Sequence, residues 1–158
     1  MSDGMSFKVE GMDDLLKEVG KLEDRAQKRI ILKGLTAIGK LLVKEAKQRA
    51  PVGELDDGFH AKGNLRRSIA IKKLTRLGID DVAVLVGPRV KGGRNASGSH
   101  GNLIEKGTKA HSIAKKRSKK SYKHKGSRKQ AFLKASYKAM ESQANIEMIK
   151  ILEKVLYG

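Results

Sequence analysis

The chain has 158 residues and a mass of 17.3 kDa, enough for one domain burying roughly 70% of the surface its unfolded form exposes. It contains no cysteine, which excludes a disulfide framework and a thiolate zinc site. No window approaches ~18 consecutive apolar residues, the signal of a membrane-spanning helix, and 35 Lys and Arg against 17 Asp and Glu leave a net charge of +18.

That charge is unevenly placed. From Gly58 to Met140 there are 22 Lys and Arg and three acids, Asp80, Asp81 and Glu105, while the two ends together are close to neutral. A basic middle between near-neutral helical ends points to a surface facing a polyanion or an acidic protein neighbour. The absence of cysteine leads to an expected intracellular origin, and the opening Met1-Ser2-Asp3-Gly4-Met5, without a basic region followed by an apolar run, does not read as a signal peptide.

In chain order, Phe7 and Val9 alternate with polar residues up to Gly11 and predict a short edge strand. Asp13 and Asp14 then open an amphipathic helix carrying Leu15, Leu16, Val19, Leu22 and Ala26. The pattern resumes at Ile31, Leu35, Ile38, Leu42 and Ala46 after a five-residue step, so a break is expected near Gln27 to Arg29. Gly34 and Gly39 inside this second helix each cost about 1 kcal/mol relative to alanine, which predicts close packing there. Pro51 disfavours helical geometry at Ala50 and should end the helix. A loop with Gly53, Asp56, Asp57 and Gly58 follows, and Gly63-Asn64 supplies a tight turn just before a strand at Ser68–Thr75.

A second strand, Val82 to Val86, completes a hairpin that Gly87-Pro88 should terminate. Residues 89–101 are glycine-rich and basic and predict a flexible loop; Leu103 and Ile104 then form a small apolar island expected to anchor on the core. Lys109 to Lys129 carries ten Lys and Arg and no acid, with too few apolar residues to pack, so residues 109–129 are expected to be a second flexible basic loop. The last helix begins near Lys129 and runs almost to Gly158. Its apolar stripe is Leu133, Tyr137, Met140, Ala144, Met148, Ile151 and Val155, widened by Phe132, Ile149, Leu152 and Leu156. The fold expected is α+β: long N-terminal helical segments and a long C-terminal helix packed on a small, mostly antiparallel sheet, with long basic loops, all in a single domain over residues 1–158.

Catalytic chemistry has little to stand on. The four histidines, His60, His100, His111 and His124, all fall in predicted loops, and with Asp56-Asp57 they match no metal-ligand spacing. Gly92-Gly93 and Gly98 lack the spacing and the strand-to-helix context of a phosphate loop. No enzyme, cofactor or metal is expected. The basic residues Arg89, Lys91, Arg94, Lys115, Lys116, Arg117, Lys119, Lys120, Lys123, Lys125 and Arg128 are the candidates for facing a partner or DNA. With only Tyr122 as an aromatic inside the run, any nucleic-acid contact would be to the backbone and nonspecific.

Several landmarks, taken in order, resemble the tail-completion or neck proteins of long-tailed bacteriophages. They are the Phe7-to-Leu16 opening; the helix end Ala46-Lys47-Gln48-Arg49-Ala50-Pro51; Gly63-Asn64-Leu65-Arg66-Arg67-Ser68-Ile69; Val84-Leu85-Val86-Gly87-Pro88; Leu103-Ile104-Glu105-Lys106-Gly107-Thr108; and Gln130-Ala131-Phe132-Leu133-Lys134-Ala135. The positions that carry the motifs are Pro51, Gly63, Leu65, Ser68, Gly87, Pro88, Glu105, Gly107, Thr108, Phe132 and Leu133. The chain departs from the family pattern in a longer Glu54–Lys62 turn, in Ala131 and Ala135 where prolines are usual, and in a longer basic run.

The resemblance implies a structural virion protein, assembled in the bacterial host cytoplasm, that forms a hexameric ring at the head-proximal end of the tail. Its implied neighbours are the tail terminator and the head-completion connector, with the basic middle facing either the acidic surface of an adjacent ring or, nonspecifically, genomic DNA in the channel, and no membrane. The alternative is a nonspecific nucleic-acid-binding basic protein that joins no particle.

Overall fold

A computed structural model of the chain describes residues 13–53, 62–74, 82–90, 98–114 and 121–158. The fold is α+β. Among the described residues, five α-helices, α1 (Asp13–Gly20), α2 (Asp24–Arg49), α3 (Asn64–Ser68), α4 (Gly101–Lys106) and α5 (Phe132–Leu156), accompany four strands, β1 (Ile69–Leu74), β2 (Ala83–Pro88), β3 (His111–Ala114) and β4 (Ser121–His124). The expected strand at Phe7–Gly11 lies outside the described residues. Among the described residues β1 pairs with β2 and β3 with β4, each pair forming its own two-stranded sheet. The chain divides into two compact units, the first made of residues 1–45, 71–86 and 136–158, the second of residues 46–70 and 87–135.

The first unit is built by helices. α1 starts on Asp13 and Asp14, whose carboxylates favour the positive end of the helix dipole, and it stops at Gly20. The break therefore falls at Lys21–Glu23, earlier than the expected 27–29. Gln27 explains the shift: its side-chain amide donates to the carbonyls of Gly20 (3.1 Å) and Leu22 (2.6 Å), two acceptors left over as α1 ends. The Glu23 carbonyl meanwhile accepts from the N–H groups of Ala26 (2.8 Å) and Gln27 (3.0 Å) and so starts α2. The five-residue step from Ala26 to Ile31 is harmless because Ile30, four residues on, carries the stripe forward. Val19, Ile38, Ala144, Met148 and Leu152 form the buried core, with Leu15, Ile30, Ile31, Leu35 and Leu156 packed around it. Burying each large aliphatic contributes about 1.5 to 3 kcal/mol before entropy is subtracted.

Both α2 glycines sit against other elements, as their position in a helix predicts. A Cβ at Gly34 would meet the sulfur of Met148, and one at Gly39 would lie 3.1 Å from Val84 Cγ1 and 3.3 Å from Ile71 Cδ1. The neighbours are side chains in both cases.

The buried face of α5 is not centred where periodicity places it. Phe132, Ser136, Met140, Ala144, Met148 and Leu152 are the buried positions, a strict four-residue series, whereas Leu133, Tyr137, Ile151 and Val155 are only half-buried. Four residues rotate an α-helix by about 400°, so this series drifts by about 40° per step and winds around the helix. A fixed stripe averages over that rotation and misses its centre.

The second unit is held differently. α2 ends at Arg49, as Pro51 requires, and the Arg66 guanidinium donates to the Ala50 carbonyl at 3.1 Å. Gly63, at φ 77°, makes the expected turn, but it leads first into the one-turn helix α3 and only then into β1. β2 runs through Gly87 and Pro88 instead of stopping before them. β3 and β4 form an antiparallel ribbon with His111 opposite His124 and Ala114 opposite Ser121. Backbone within 109–129 is thus extended and paired at both ends of the basic run.

Candidate functional site

Two polar joints in the second unit gather most of the motif positions. At the first, the end of β2 meets Ser68 and Gly98. The Arg89 N–H donates to the Ser68 carbonyl and the Gly98 N–H to the Arg89 carbonyl, both at 2.9 Å. Ser68, buried, turns its hydroxyl back to the Leu65 carbonyl at 2.7 Å. Gly98 and Gly101 are pressed onto this joint: a Cβ at Gly98 would stand 2.6 Å from Ser68 Oγ, and one at Gly101 would overlap Pro88 and come within 3.4 Å of Leu65. Leu65, Ser68 and Pro88, scattered over 24 positions of sequence, are therefore one packed joint. Gly63 makes the turn that leads into α3 of this joint, Gly87 lies in β2 beside it, and Pro51 follows the end of α2.

The second joint is a clasp on the start of α5. Ala131 occupies the N-cap position, since its carbonyl accepts the Ala135 N–H at 3.0 Å, and an alanine has no side-chain acceptor for the free N–H groups that follow. Glu105 supplies one from α4. Its carboxylate accepts from the Leu133 N–H at 2.9 Å with one oxygen and from the Lys134 N–H at 3.0 Å with the other. A carboxylate here also faces the positive end of a 25-residue helix. The Gln130 N–H donates to the Ile104 carbonyl at 2.9 Å, and Thr108 and Ser127 exchange two backbone hydrogen bonds at 3.0 Å. Gly107 makes the approach possible. Its φ is 74°, and a Cβ there would come within 2.9 Å of both the Lys129 nitrogen and the Ser127 carbonyl oxygen.

The apolar island is thus tied down chiefly by hydrogen bonds. Leu103, expected as an anchor, is 50% exposed because α4 turns it outward, whereas Phe132 next to the cap is buried. Periodicity missed Gly98, Gly101 and Gly126 as structural positions. Their only signal in the sequence is glycine itself, which reads equally well as a loop residue.

Of the candidate partner-facing cations, Arg89, Lys123, Lys125 and Arg128 lie among the described residues, and all four are exposed, as are Lys109 and Lys129 nearby in sequence. Lys91, Arg94, Lys115, Lys116, Arg117, Lys119 and Lys120 lie outside the described residues. On the ribbon, the His111 and His124 rings stack across the strands with centroids 5.0 Å apart and tilted by 34°. The Gly126 N–H donates to His124 Nδ1 at 3.0 Å, which puts that ring's proton on Nε2, while His111 Nδ1 donates to the Lys109 carbonyl at 2.9 Å. Both rings are oriented by backbone and serve as parts of the ribbon. Among the described residues no three His, Cys, Asp or Glu cluster as a metal site, and no helix is long and apolar enough to cross a membrane.

Compared with known proteins, residues 13–107 match a family model described as "Bacteriophage HK97-gp10, putative tail-component". No match to a curated protein or to a solved structure was found. The matched segment contains α1, α2, both strands of the β1–β2 pair and α4, and it ends on Gly107 of the clasp; the basic ribbon begins just beyond it.

Proposed function

As a chain that belongs to the HK97-gp10-like family of bacteriophage tail components, matched over more than half of its length, it is a structural protein of the virion, and from that premise we propose its place. It forms an oligomeric ring at the head-proximal end of the tail, completes the tail there, and helps join it to the head. Its neighbours in this reading are the tail terminator and the head-completion connector. The work is mechanical, so no residue is assigned a catalytic role.

The observation that carries the reading is the division of labour around Gly107. Before it lies the matched scaffold, and after it comes the ribbon whose exposed Lys109, Lys123, Lys125, Arg128 and Lys129 face outward without an acid in their run. A common scaffold with a cationic extension suits a ring that meets an acidic neighbouring surface, where charge steers docking and sets partner choice.

The test is mass by light scattering, for the protein alone and with tail tubes capped by their terminator, at low and high salt. A ring, or binding that appears with tails and weakens with salt, is the expected result. The same exposed cations favour a second reading, nonspecific binding to the nucleic-acid backbone. A monomer that ignores tails but binds duplex DNA with a steep salt dependence would replace the ring with that reading.

A further inference from the structure

The first unit carries a cationic surface of its own. An open groove of about 570 Å³ runs along α2. Leu32 and Ala37 of α2 and Ile151 of α5 give it an apolar floor. Thr36 adds no polar function, because its hydroxyl is turned back to the Leu32 carbonyl at 2.6 Å. Around this floor stand Arg29, Lys33 and Lys40 from α2 and Lys73 from β1, all exposed, and no carboxylate lines the groove. Steps of four and seven residues keep the three α2 cations on one stripe. Such a groove fits a segment that is apolar at its centre and acidic at its flanks.

The same unit presents that chemistry at another place. Asp13 to Asp24 holds five acids, Asp13, Asp14, Glu18, Glu23 and Asp24, against Lys17 and Lys21. Both lysines are already bridged to carboxylates of α1, Lys17 to Asp14 at 3.2 Å and Lys21 to Glu18 at 2.5 Å. Two large aliphatics stand out on this acidic edge, Leu16 at 43% and Leu22 at 38% exposure.

We propose that the α2 groove of one copy receives the acidic α1 edge of the next, Leu16 and Leu22 on the apolar floor and Asp13, Glu23 and Asp24 against the cationic rim. The inference rests on the ring reading and names the contact that builds the ring. Groove and edge are different surfaces, so each copy offers one and receives the other, the head-to-tail arrangement that closes into a ring when the rotation between neighbours divides a full turn.

Charge reversal tests it in a way that controls for folding. One variant carries Lys33→Glu and Lys40→Glu; the other carries Asp13→Lys and Glu23→Lys. Each alone is expected to assemble at least tenfold more weakly than wild type by light scattering, with or without tails. An equimolar mixture is expected to assemble again, because each variant's altered surface then meets a complementary one. As the chain has no cysteine, Leu22→Cys on one copy and Ala37→Cys on another provide a second readout: the mixture should form a disulfide-linked dimer that neither variant forms alone. Wild-type rings together with variants that assemble normally, or a mixture of folded variants that stays monomeric and unlinked, would overturn this contact and leave the ring reading standing. A wild type that never leaves the monomer, with or without tails, would overturn the ring reading itself, and that result is read before any variant is made.

Discussion

The two units solve the same problem, close approach of chain to chain, by opposite means. In the first, approach is between side chains: Gly34 yields to Met148, Gly39 to Val84 and Ile71, around a core of Val19, Ile38, Ala144, Met148 and Leu152. In the clasp of the second, approach is between backbones, at Gly107 against Ser127 and Lys129 and at Gly126 against Thr108 and Ala110, with a carboxylate capping a helix. Side chains can shift rotamer and relax. Backbone segments locked by hydrogen bonds cannot, so the same small substitution should be costly in one unit and mild in the other.

Gly107→Ala is expected to show the largest effect. The new Cβ meets backbone atoms at 2.9 Å on two sides, from a residue whose φ is 74°. With ψ at 172° the residue lies in a region essentially reserved for glycine, and backbone strain of about 1 to 3 kcal/mol with overpacking of similar size predicts a loss of about 3 kcal/mol in urea unfolding. A loss below about 1 kcal/mol would mean that the clasp gives way as readily as a packed core. Next comes Glu105→Ala, which strips two charge-assisted hydrogen bonds from the start of α5 and should cost about 2 kcal/mol. Glu105→Gln keeps one acceptor oxygen and should recover part of that loss. If both variants unfold like wild type, the cap is ornamental and backbone bonds alone hold the clasp.

Why the sequence revealed the first unit better than the second follows from the same contrast. Helix periodicity, strand alternation and Pro51 are local signals, and they located the end of α2 at Arg49 and the β1–β2 pair within a residue or two, while placing the start of α2 too late. The signals that failed were also local ones, overruled from a distance. Gln27 reaches back seven residues to Gly20 and moves the helix break; Glu105 reaches 28 residues forward to Leu133 and replaces a cap that Ala131 lacks. Nothing in spacing announces such a bond. The motif positions Leu65, Ser68, Pro88, Glu105 and Gly107 were visible as a series, yet their meaning as two joints needed the fold. The basic candidates were visible as charge, and Lys123, Lys125 and Arg128 lie exposed on or beside the ribbon, but a count of lysines could not single out Arg29, Lys33, Lys40 and Lys73, which converge on one groove from two elements far apart in sequence.

Within the first unit the comparison sharpens further. Gly39→Ala places a Cβ 3.1 Å from Val84 Cγ1 and 3.3 Å from Ile71 Cδ1. Both neighbours are β-branched and stiff at χ1, and both belong to strands of one pair, so little relaxation is open to them. Overpacking of about 1 to 3 kcal/mol is then only partly offset by the gain of about 1 kcal/mol from alanine in a helix. A net loss of about 1 kcal/mol should appear in thermal or urea unfolding; a net gain would show that the pair moves as freely as a single side chain.

Gly34→Ala should give the smallest effect. Its Cβ would collide with Met148, but the colliding atom is the sulfur of an unbranched side chain with three rotatable bonds, the residue type best able to repack into an irregular space. Moving that sulfur aside costs about as much as the helix gains from the substitution, so stability should stay within about 0.5 kcal/mol of wild type. Met148→Leu separates the two contributions. Leucine is branched and cannot withdraw its end in the same way, so Gly34→Ala introduced into that background should become destabilising by about 1 kcal/mol or more. If the alanine were equally neutral with leucine at 148, the tolerance would lie in α2 shifting as a body, and the contrast between yielding side chains and locked backbone would lose its physical basis.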